Sequence, residues 1–74
     1  MMTNMEIKVG DKFRFHSDNG IDFTIYVVNI NDFREPSMRY GLDVYDDKGV
    51  YMGDVMFVGD DFFNNNANKF DKLN

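Results

Sequence analysis

A two-residue alternation of polar and apolar side chains, interrupted at short intervals by turn-forming residues, constrains the fold of this chain more than any other feature. The alternation is clearest in residues 12–16 and in residues 40–45. Because successive side chains of a β-strand point to opposite faces of a sheet, both segments are predicted to be half-buried strands. The polar residues beside the phenylalanines of the first segment should face solvent. The residues predicted to face a core in these two segments and the strand between them are Phe13, Phe15, Phe23, Ile25, Val27, Tyr40, Leu42 and Val44.

Two further segments carry strand signals. Residues 23–30 are rich in aromatic and β-branched side chains on both faces, which predicts a central strand or one that bends between two halves of a barrel. Residues 50–58 would return from a hairpin turn at residues 46–49, where Gly49 is placed to take positive φ. Gly53 lies in the middle of this returning strand and predicts a bulge or a sharp bend.

The remaining segments favour a loop and a short helix. Residues 31–39 are polar and contain the single proline, which predicts the longest loop. Asp60 or Asp61 could cap a helical turn that begins at Phe62. The asparagines at 64–66 are poor helix formers, so this helix should be short. Its apolar stripe would consist of Phe63, Ala67 and Phe70.

The chain has 74 residues and no cysteine. A chain this short forms one domain, and without disulfides its fold must depend on packing or on a partner subunit. We predict a flexible N-terminal leader, residues 1–6, and a single small β-barrel domain, residues 7–74; Met1, Met2 and Met5 are alternative start residues. The predicted fold is mainly β, a small four- to five-stranded antiparallel open barrel with a short C-terminal helical turn.

The segment Val9-Gly10-Asp11-Lys12-Phe13, with the long second strand and the tight third hairpin, resembles SH3-like small barrels, including the KOW type. The likeness covers residues 7–63 as a pattern of strands and turns, and it implies an SH3-like open barrel. The sequence lacks both the basic surface of KOW-type nucleic-acid binders and the motifs of peptide-binding SH3 domains, so neither function is carried over. Its Asn-, Asp-, Phe- and Tyr-rich composition is similar to that of small accessory proteins of phages and other mobile elements.

Catalytic chemistry is disfavoured. The one histidine, His16, precedes Ser17 and Asp18, but catalytic triads are seldom built from adjacent residues. The six glycines are scattered one per turn or bend and form no phosphate-binding loop. The aspartates of the third hairpin lack the spacing of a calcium loop, which leaves weak surface binding of a divalent ion as the alternative. We predict that the protein is not an enzyme, with no catalytic residue, no metal site and no cofactor.

The tyrosines carry the strongest functional signal. Tyr26, Tyr45 and Tyr51 occupy strand positions that alternate away from the main core face, and Phe57 shares the register of Tyr51. Tyrosine is enriched where proteins meet because its ring offers a large rigid area with a polar tip. Nearby aspartates would make such a surface suit a basic partner. The predicted partner-binding residues are Tyr26, Asp43, Tyr45, Asp46, Asp47, Tyr51 and Asp54.

The net charge of −5 is unevenly distributed. Residues 1–40 hold six acids and five bases, a balance of −1, and residues 41–74 hold seven acids and three bases, a balance of −4. We therefore predict a small acidic protein-interaction module, an inhibitor or regulator of phage type, that docks an acidic, tyrosine-bearing face on a basic protein partner. In a narrower version, the acidic face imitates DNA phosphates.

Two alternatives to this function stay open, nucleic-acid binding and formation of a homodimer. Single-stranded nucleic-acid binding would use exposed aromatics and the bases of the first half, although the acidic balance makes nucleic acid the weaker hypothesis. These bases are Lys8, Lys12, Arg14, Arg34 and Arg39. Pairing of an edge strand could form a homodimer. The longest apolar runs have four residues, too short for a membrane span, and without a signal pattern the expected compartment is the cytoplasm.

Overall fold

The fold is a single five-stranded antiparallel sheet with a short helix on its inner face. The computed structural model describes residues 6–74. Its strands are β1 (Lys12–His16), β2 (Asp22–Ile30), β3 (Tyr40–Tyr45), β4 (Met56–Val58) and β5 (Phe70–Lys72), and its helix, α1, spans Asp60–Asn65. Two 3₁₀ turns, Pro36–Met38 and Ala67–Lys69, complete the regular structure of the described part. The first five residues of the predicted leader, residues 1–6, lie outside the described residues.

The strands are ordered β4-β3-β2-β1-β5, and the sheet does not close on itself. This arrangement confirms the prediction of a mainly β, antiparallel, open architecture with a short C-terminal helix. It also confirms the central position of β2, which pairs with β1 on one side and β3 on the other. Leaving the sheet open exposes two edge strands, β4 and β5, and an outer face that no helix of residues 6–74 covers.

The first strand is preceded by a turn that the sequence marks with Val9-Gly10-Asp11. Gly10 has φ 94°, which a side chain would oppose, and its N–H donates to the Val27 carbonyl at 2.8 Å. The Asp11 carboxylate is buried and accepts the Lys8 N–H at 2.9 Å. The turn therefore fixes the point at which β1 starts to pair with β2.

A bulge in β2 changes which side chains face the core. The pairing with β3 shifts between Val27 and Asn29. As a result Val28 is exposed, whereas Ile30 packs against the core. The sequence predicted that both faces of this strand are apolar. The bulge turns Ile30 towards the core, so β2 does not need to be buried on both sides.

The core fills the space between the inner face of the sheet and α1. Phe13, Leu42, Val27 and Phe63 are its most completely buried large side chains. Phe63, from α1, packs against Tyr40 with ring centroids 5.2 Å apart and against Phe13 at 6.2 Å. The buried cluster comprises Phe13, Ile25, Val27, Tyr40, Leu42, Val44, Val58, Phe63 and Phe70, with the predicted core residues Phe15 and Phe23 only partly buried against it.

The predicted strand over residues 50–58 is wrong in its extent. After the turn, Tyr51 forms only an isolated bridge with Tyr45, and regular pairing resumes at β4. Gly53 has φ 111°, so the chain bends there, as the glycine predicted. The bend carries the backbone away from β3 between the bridge and β4.

The predicted C-terminal helix is also corrected. It begins at Asp60, and its N-cap residue is Gly59, which has no side chain that could cap the helix. Neither aspartate is therefore the cap residue, and the Asp60 carboxylate bonds to β3 and the residue before it. Its Oδ2 accepts the Arg39 Nη1–H at 2.6 Å and its Oδ1 accepts the Tyr40 hydroxyl at 2.5 Å. The helix ends at Asn65, and Phe70 belongs to β5, so the spacing of three apolar residues does not mark one helix.

Candidate interaction surface

Three tyrosines form a continuous row on the outer face of the sheet, which we call the tyrosine ladder: Tyr26, Tyr45 and Tyr51. Thr24 of β2 pairs with Tyr45, which brings Tyr26 and Tyr45 within 5.5 Å between ring centroids in an edge-to-face arrangement. The bridge between Tyr45 and Tyr51 brings the next two rings to 5.4 Å. The structure thus brings together the three tyrosines that the alternation singled out.

The aspartates predicted beside these tyrosines occupy different places. Asp43, directly across from Tyr26 in the register, accepts the Tyr51 hydroxyl hydrogen at 3.0 Å. Asp54 lies beyond the Gly53 bend, close enough for its charge to act on Tyr51. Both therefore adjoin the tyrosine ladder.

The other two aspartates lie in the hairpin turn. Asp46 is committed to the turn, since its Oδ1 accepts the backbone N–H groups of Lys48 and Val50, each at 2.9 Å. Asp47 is exposed at the tip. We call Asp43, Asp46, Asp47 and Asp54 the acidic hairpin cluster.

No base of residues 6–74 lies within ion-pair distance of the acidic hairpin cluster, whereas several acids elsewhere are neutralised. Lys69 pairs with Asp18 at 3.0 Å and Arg39 with Asp60 at 2.6 Å. Arg14 shares a shallow hollow of about 410 Å³ with Asp46 and Asp47 but forms no ion pair with them. The negative charge of the second half of the chain is therefore left largely unneutralised beside the ladder.

The electrostatics of the ladder are visible at Tyr51. Partial burial, followed by the hydrogen bond to Asp43 and the charges of Asp43 and Asp54, raises the pKa of Tyr51 above its ordinary value of about 10. At the opposite end, Lys12 Nζ lies 5.3 Å from the centroid of the Tyr26 ring. The ladder consequently has a cation over its Tyr26 end, and Asp43 lies between Tyr26 and the Tyr51 hydroxyl.

Sequence reasoning missed an apolar groove on the other side of the Gly53 bend. It encloses about 530 Å³ and is lined mainly by Phe15, Phe23, Val44, Met52, Met56 and Phe62. Met52 and Met56 are 55% and 50% exposed. The sequence signal for this groove was the pair of methionines, Met52 and Met56, on either side of Gly53. Their positions in the fold could not be predicted because they depend on the path of the chain after the bend.

A second missed residue is Phe33, which is 100% exposed in the loop between β2 and β3. Its N–H donates to Asn31 Oδ1 at 2.9 Å, and the neighbouring Arg34 side chain donates to the Met38 carbonyl and to Asn29. The loop is thus tied down although its phenylalanine contacts no core residue.

His16 lies away from the ladder and acts between strands. Its Nδ1 is 2.9 Å from Asp22 Oδ1 and its Nε2 is 2.7 Å from Asp71 Oδ2. Asp18 instead pairs with Lys69, and it is not a hydrogen-bond partner of His16. The arrangement is solvent-exposed and holds an imidazole between two carboxylates, without a neighbouring nucleophile among the contacts of His16.

Two further findings concern metals and membranes. Within residues 6–74, no three His, Cys, Asp or Glu side chains are arranged so that they could hold a metal ion. Over the same range, no helix has both the length and the apolar character needed to cross a membrane.

Comparison with known proteins adds no family to this description. No family model matches the chain, and no match to it is found among the curated proteins or the solved structures.

Proposed function

We propose that this protein is a small interaction module that docks the tyrosine ladder and the acidic hairpin cluster on a basic surface of a protein partner. The observation that carries the proposal is a row of three tyrosine rings, with neighbouring centroids 5.5 Å and 5.4 Å apart, beside aspartates that form no ion pair with a base of residues 6–74. We regard an inhibitor or regulator of phage type as the specific form of this function, and an SH3-like barrel as the family that the resemblance suggests.

The rings suit this role because they are held in place before a partner arrives. Tyr45 is packed between Tyr26 and Tyr51, and the Tyr51 hydroxyl is bonded to Asp43. Little side-chain freedom remains to be lost on binding, which lowers the entropic cost of an interface. The ladder also presents its rings from strands, the more rigid part of the fold.

The charge of the surface selects the partner. Asp43, Asp47 and Asp54 lie on or beside the ladder, and no cationic side chain of residues 6–74 is within ion-pair range of them. Unneutralised charge steers a complementary surface to the site and raises the rate of association. Imitation of DNA phosphates is the narrower form of this proposal, and it would make the partner a nucleic-acid-binding protein.

The test is a quantitative recovery of partners from the native host. Asp47→Lys/Asp54→Lys reverses two charges of the cluster and leaves Asp46, which holds the turn, in place. Glu35→Lys/Asp61→Lys makes the same change in net charge at two exposed acids away from the ladder. We expect the first variant to recover a specific partner about fivefold less well than the wild type and the control to match it. Equal recovery by all three proteins would count against the proposal.

Single-stranded nucleic-acid binding is a second candidate, favoured by one observation. Two bases lie over aromatic rings, Lys12 over Tyr26 at 5.3 Å and Arg34 over Phe57 at 4.7 Å. In such a pair, the aromatic ring could stack on a nucleobase while the cationic side chain contacts the adjacent phosphate. Ion pairs already occupy Lys8, Arg39, Lys69 and Lys72, which weakens this candidate.

A titration with a labelled oligonucleotide at low salt separates the two candidates. Non-specific binding proteins reach dissociation constants of about 100 µM or below. A dissociation constant weaker than about 100 µM would end the nucleic-acid candidate. Tighter binding that Lys12→Gln weakens would support it.

A further inference from the structure

We infer that the apolar groove beside the Gly53 bend receives a bulky apolar side chain from the same basic partner, so that the partner segment carries an apolar anchor next to its positive charges. The inference rests on the proposed function and deepens it. It concerns the side of the bend opposite to the tyrosine ladder.

The groove has the size and lining of a side-chain pocket. It encloses about 530 Å³, and eight of its nine lining residues are apolar. Ligand pockets typically have volumes of about 300–1,000 Å³ with an apolar lining and a few polar groups. Its floor is formed by the inner face of the sheet and its walls by Phe62 of α1 and the segment after the bend.

The groove walls can adapt to an occupant. Met52 and Met56, on the segment around the bend, are about half exposed, and Val55 between them is 40% exposed. Methionine side chains are unbranched and polarisable, so they adjust to incoming groups, as they do at promiscuous binding surfaces. Burial of these three exposed side chains by an anchor would remove apolar surface from water, which is the main favourable term in association.

Asp54 joins the groove to the acidic hairpin cluster. Among residues 6–74 it is the only charged residue that lines the groove, and its charge also acts on Tyr51 of the ladder. A partner group that entered the groove would therefore place its neighbouring residues beside Asp54. Cations at those neighbouring positions would find a complementary charge, and anions would be repelled.

The same charges argue against a second copy of this chain as the occupant. Each copy carries a net charge of −5, and the rim of the groove is anionic. Bringing two such surfaces together would oppose like charges, whereas a basic segment would neutralise them. The occupant we infer is accordingly a cationic segment with one large apolar residue.

The protein itself provides a sensitive assay, because it contains no tryptophan. The probe is the peptide acetyl-Lys-Lys-Trp-Lys-Lys-amide, whose indole fluorescence can be excited without interference from an indole in the protein. A matched peptide with Gly in place of Trp keeps the charge and removes the anchor. Labelled methionine methyl groups, followed by NMR, report the groove directly through Met52 and Met56, with the exposed Met38 as an internal control.

We expect the Trp emission to shift to the blue on binding, the Met52 and Met56 methyl signals to move and the Met38 signal to stay. Replacing Trp by Gly should weaken binding about tenfold, as loss of a buried aromatic anchor does. Met52→Ser/Met56→Ser, which changes two half-exposed residues, should weaken the Trp peptide about tenfold and leave the Gly peptide unchanged.

The outcomes separate the groove from the proposed function. Peptide binding with an unshifted Trp and unmoved Met52 and Met56 methyl groups would overturn the groove inference and leave the ladder proposal standing. Groove binding that is unaffected by Asp43→Asn/Asp47→Asn would support the groove while contradicting the role of the cluster. The inference would be overturned if the wild type did not bind the peptide. It would also be overturned by methyl shifts that depend on protein concentration alone, because these would identify a second copy as the occupant.

Discussion

The Nε2 atom of His16 lies 2.7 Å from Oδ2 of Asp71, so a side chain of β1 is bonded to a side chain of β5. The other ring nitrogen is 2.9 Å from Asp22 of β2. One imidazole thus joins a strand to both of its neighbours in the sheet. Hydrogen bonds to Asp71 and then Asp22 raise the pKa of His16 above its ordinary value of about 6.5.

This bridge makes the stability of the protein depend on pH. Because the pKa of His16 is higher in the folded protein than in the unfolded chain, its contribution is fully present below about pH 6.5 and is lost as pH rises through the folded-state pKa. We expect the urea midpoint to fall between about pH 6 and pH 9, and to fall less in His16→Gln. Parallel pH dependences of the two proteins would contradict the bridge.

The hydrogen bonds of Asp60 should make this residue contribute more to stability than Asp61, its neighbour in the same helical turn. Asp60→Ala removes the acceptor of the Tyr40 hydroxyl and of Arg39, whereas the exposed Asp61 has no side-chain hydrogen bond within the described residues. Both substitutions lose a similar interaction with the helix dipole, so Asp61→Ala is a matched control. In urea unfolding, we expect Asp60→Ala to lower the free energy of unfolding by about 1–3 kcal/mol more than Asp61→Ala. Equal losses in the two variants would mean that the hydrogen bonds of Asp60 do not stabilise the fold.

Gly59 should tolerate no side chain. A Cβ atom at this residue would lie 2.7 Å from Ser37 Cα, with the backbone of Pro36 also in the way. Because the obstructing atoms belong to the backbone, we expect Gly59→Ala to lower the free energy of unfolding by at least about 3 kcal/mol. Gly49→Ala is the comparison: it meets no atom within 4 Å but has φ 84°, and should cost about 1–2 kcal/mol. The reverse order of the two losses would refute the close approach.

The pKa of Tyr51 provides a check of the ladder in solution. Asp43→Asn should lower this pKa towards 10, because it removes the charge that accepts the hydroxyl hydrogen bond. Asp47→Asn should leave it nearly unchanged, since Asp47 does not contribute to the shift. Tyrosine ring signals followed by NMR during a pH titration give the measurement. A pKa of Tyr51 that responds equally to both substitutions would mean that the Asp43 hydrogen bond does not form.

The elements that the sequence predicted best are those whose side chains alternate without interruption. The bounds of β1 are the predicted ones, and Tyr40, Leu42 and Val44 of β3 point inward as expected, because period two leaves only one face to bury. The tyrosine ladder follows from the same rule. Once the inward residues are assigned, Tyr26 and Tyr45 have only the outer face.

The elements that the sequence missed depend on contacts that are distant along the chain. Phe70-Asp71-Lys72 has one apolar residue, too few for a strand signal, and becomes β5 because β1 offers a free edge beside it. Phe70 is therefore buried against Phe13 and Phe15, with ring centroids 5.7 Å and 4.9 Å away, rather than in a helical stripe. The apolar groove also depends on contacts between distant parts of the chain, because it forms where the segment after the Gly53 bend meets the sheet and α1.

The pairing of β5 with β1 also affects how the chain is made. Phe13 and Phe15 sit in a strand that has a neighbour on only one side until Phe70 and the residues after it emerge from the ribosome. Until β5 has been synthesised, a nascent chain therefore carries a half-paired, phenylalanine-bearing strand, the situation in which edge-to-edge aggregation competes with folding. The outward-facing charge of Arg14 and the polar ring of His16 then protect that strand until Asp71 binds the histidine.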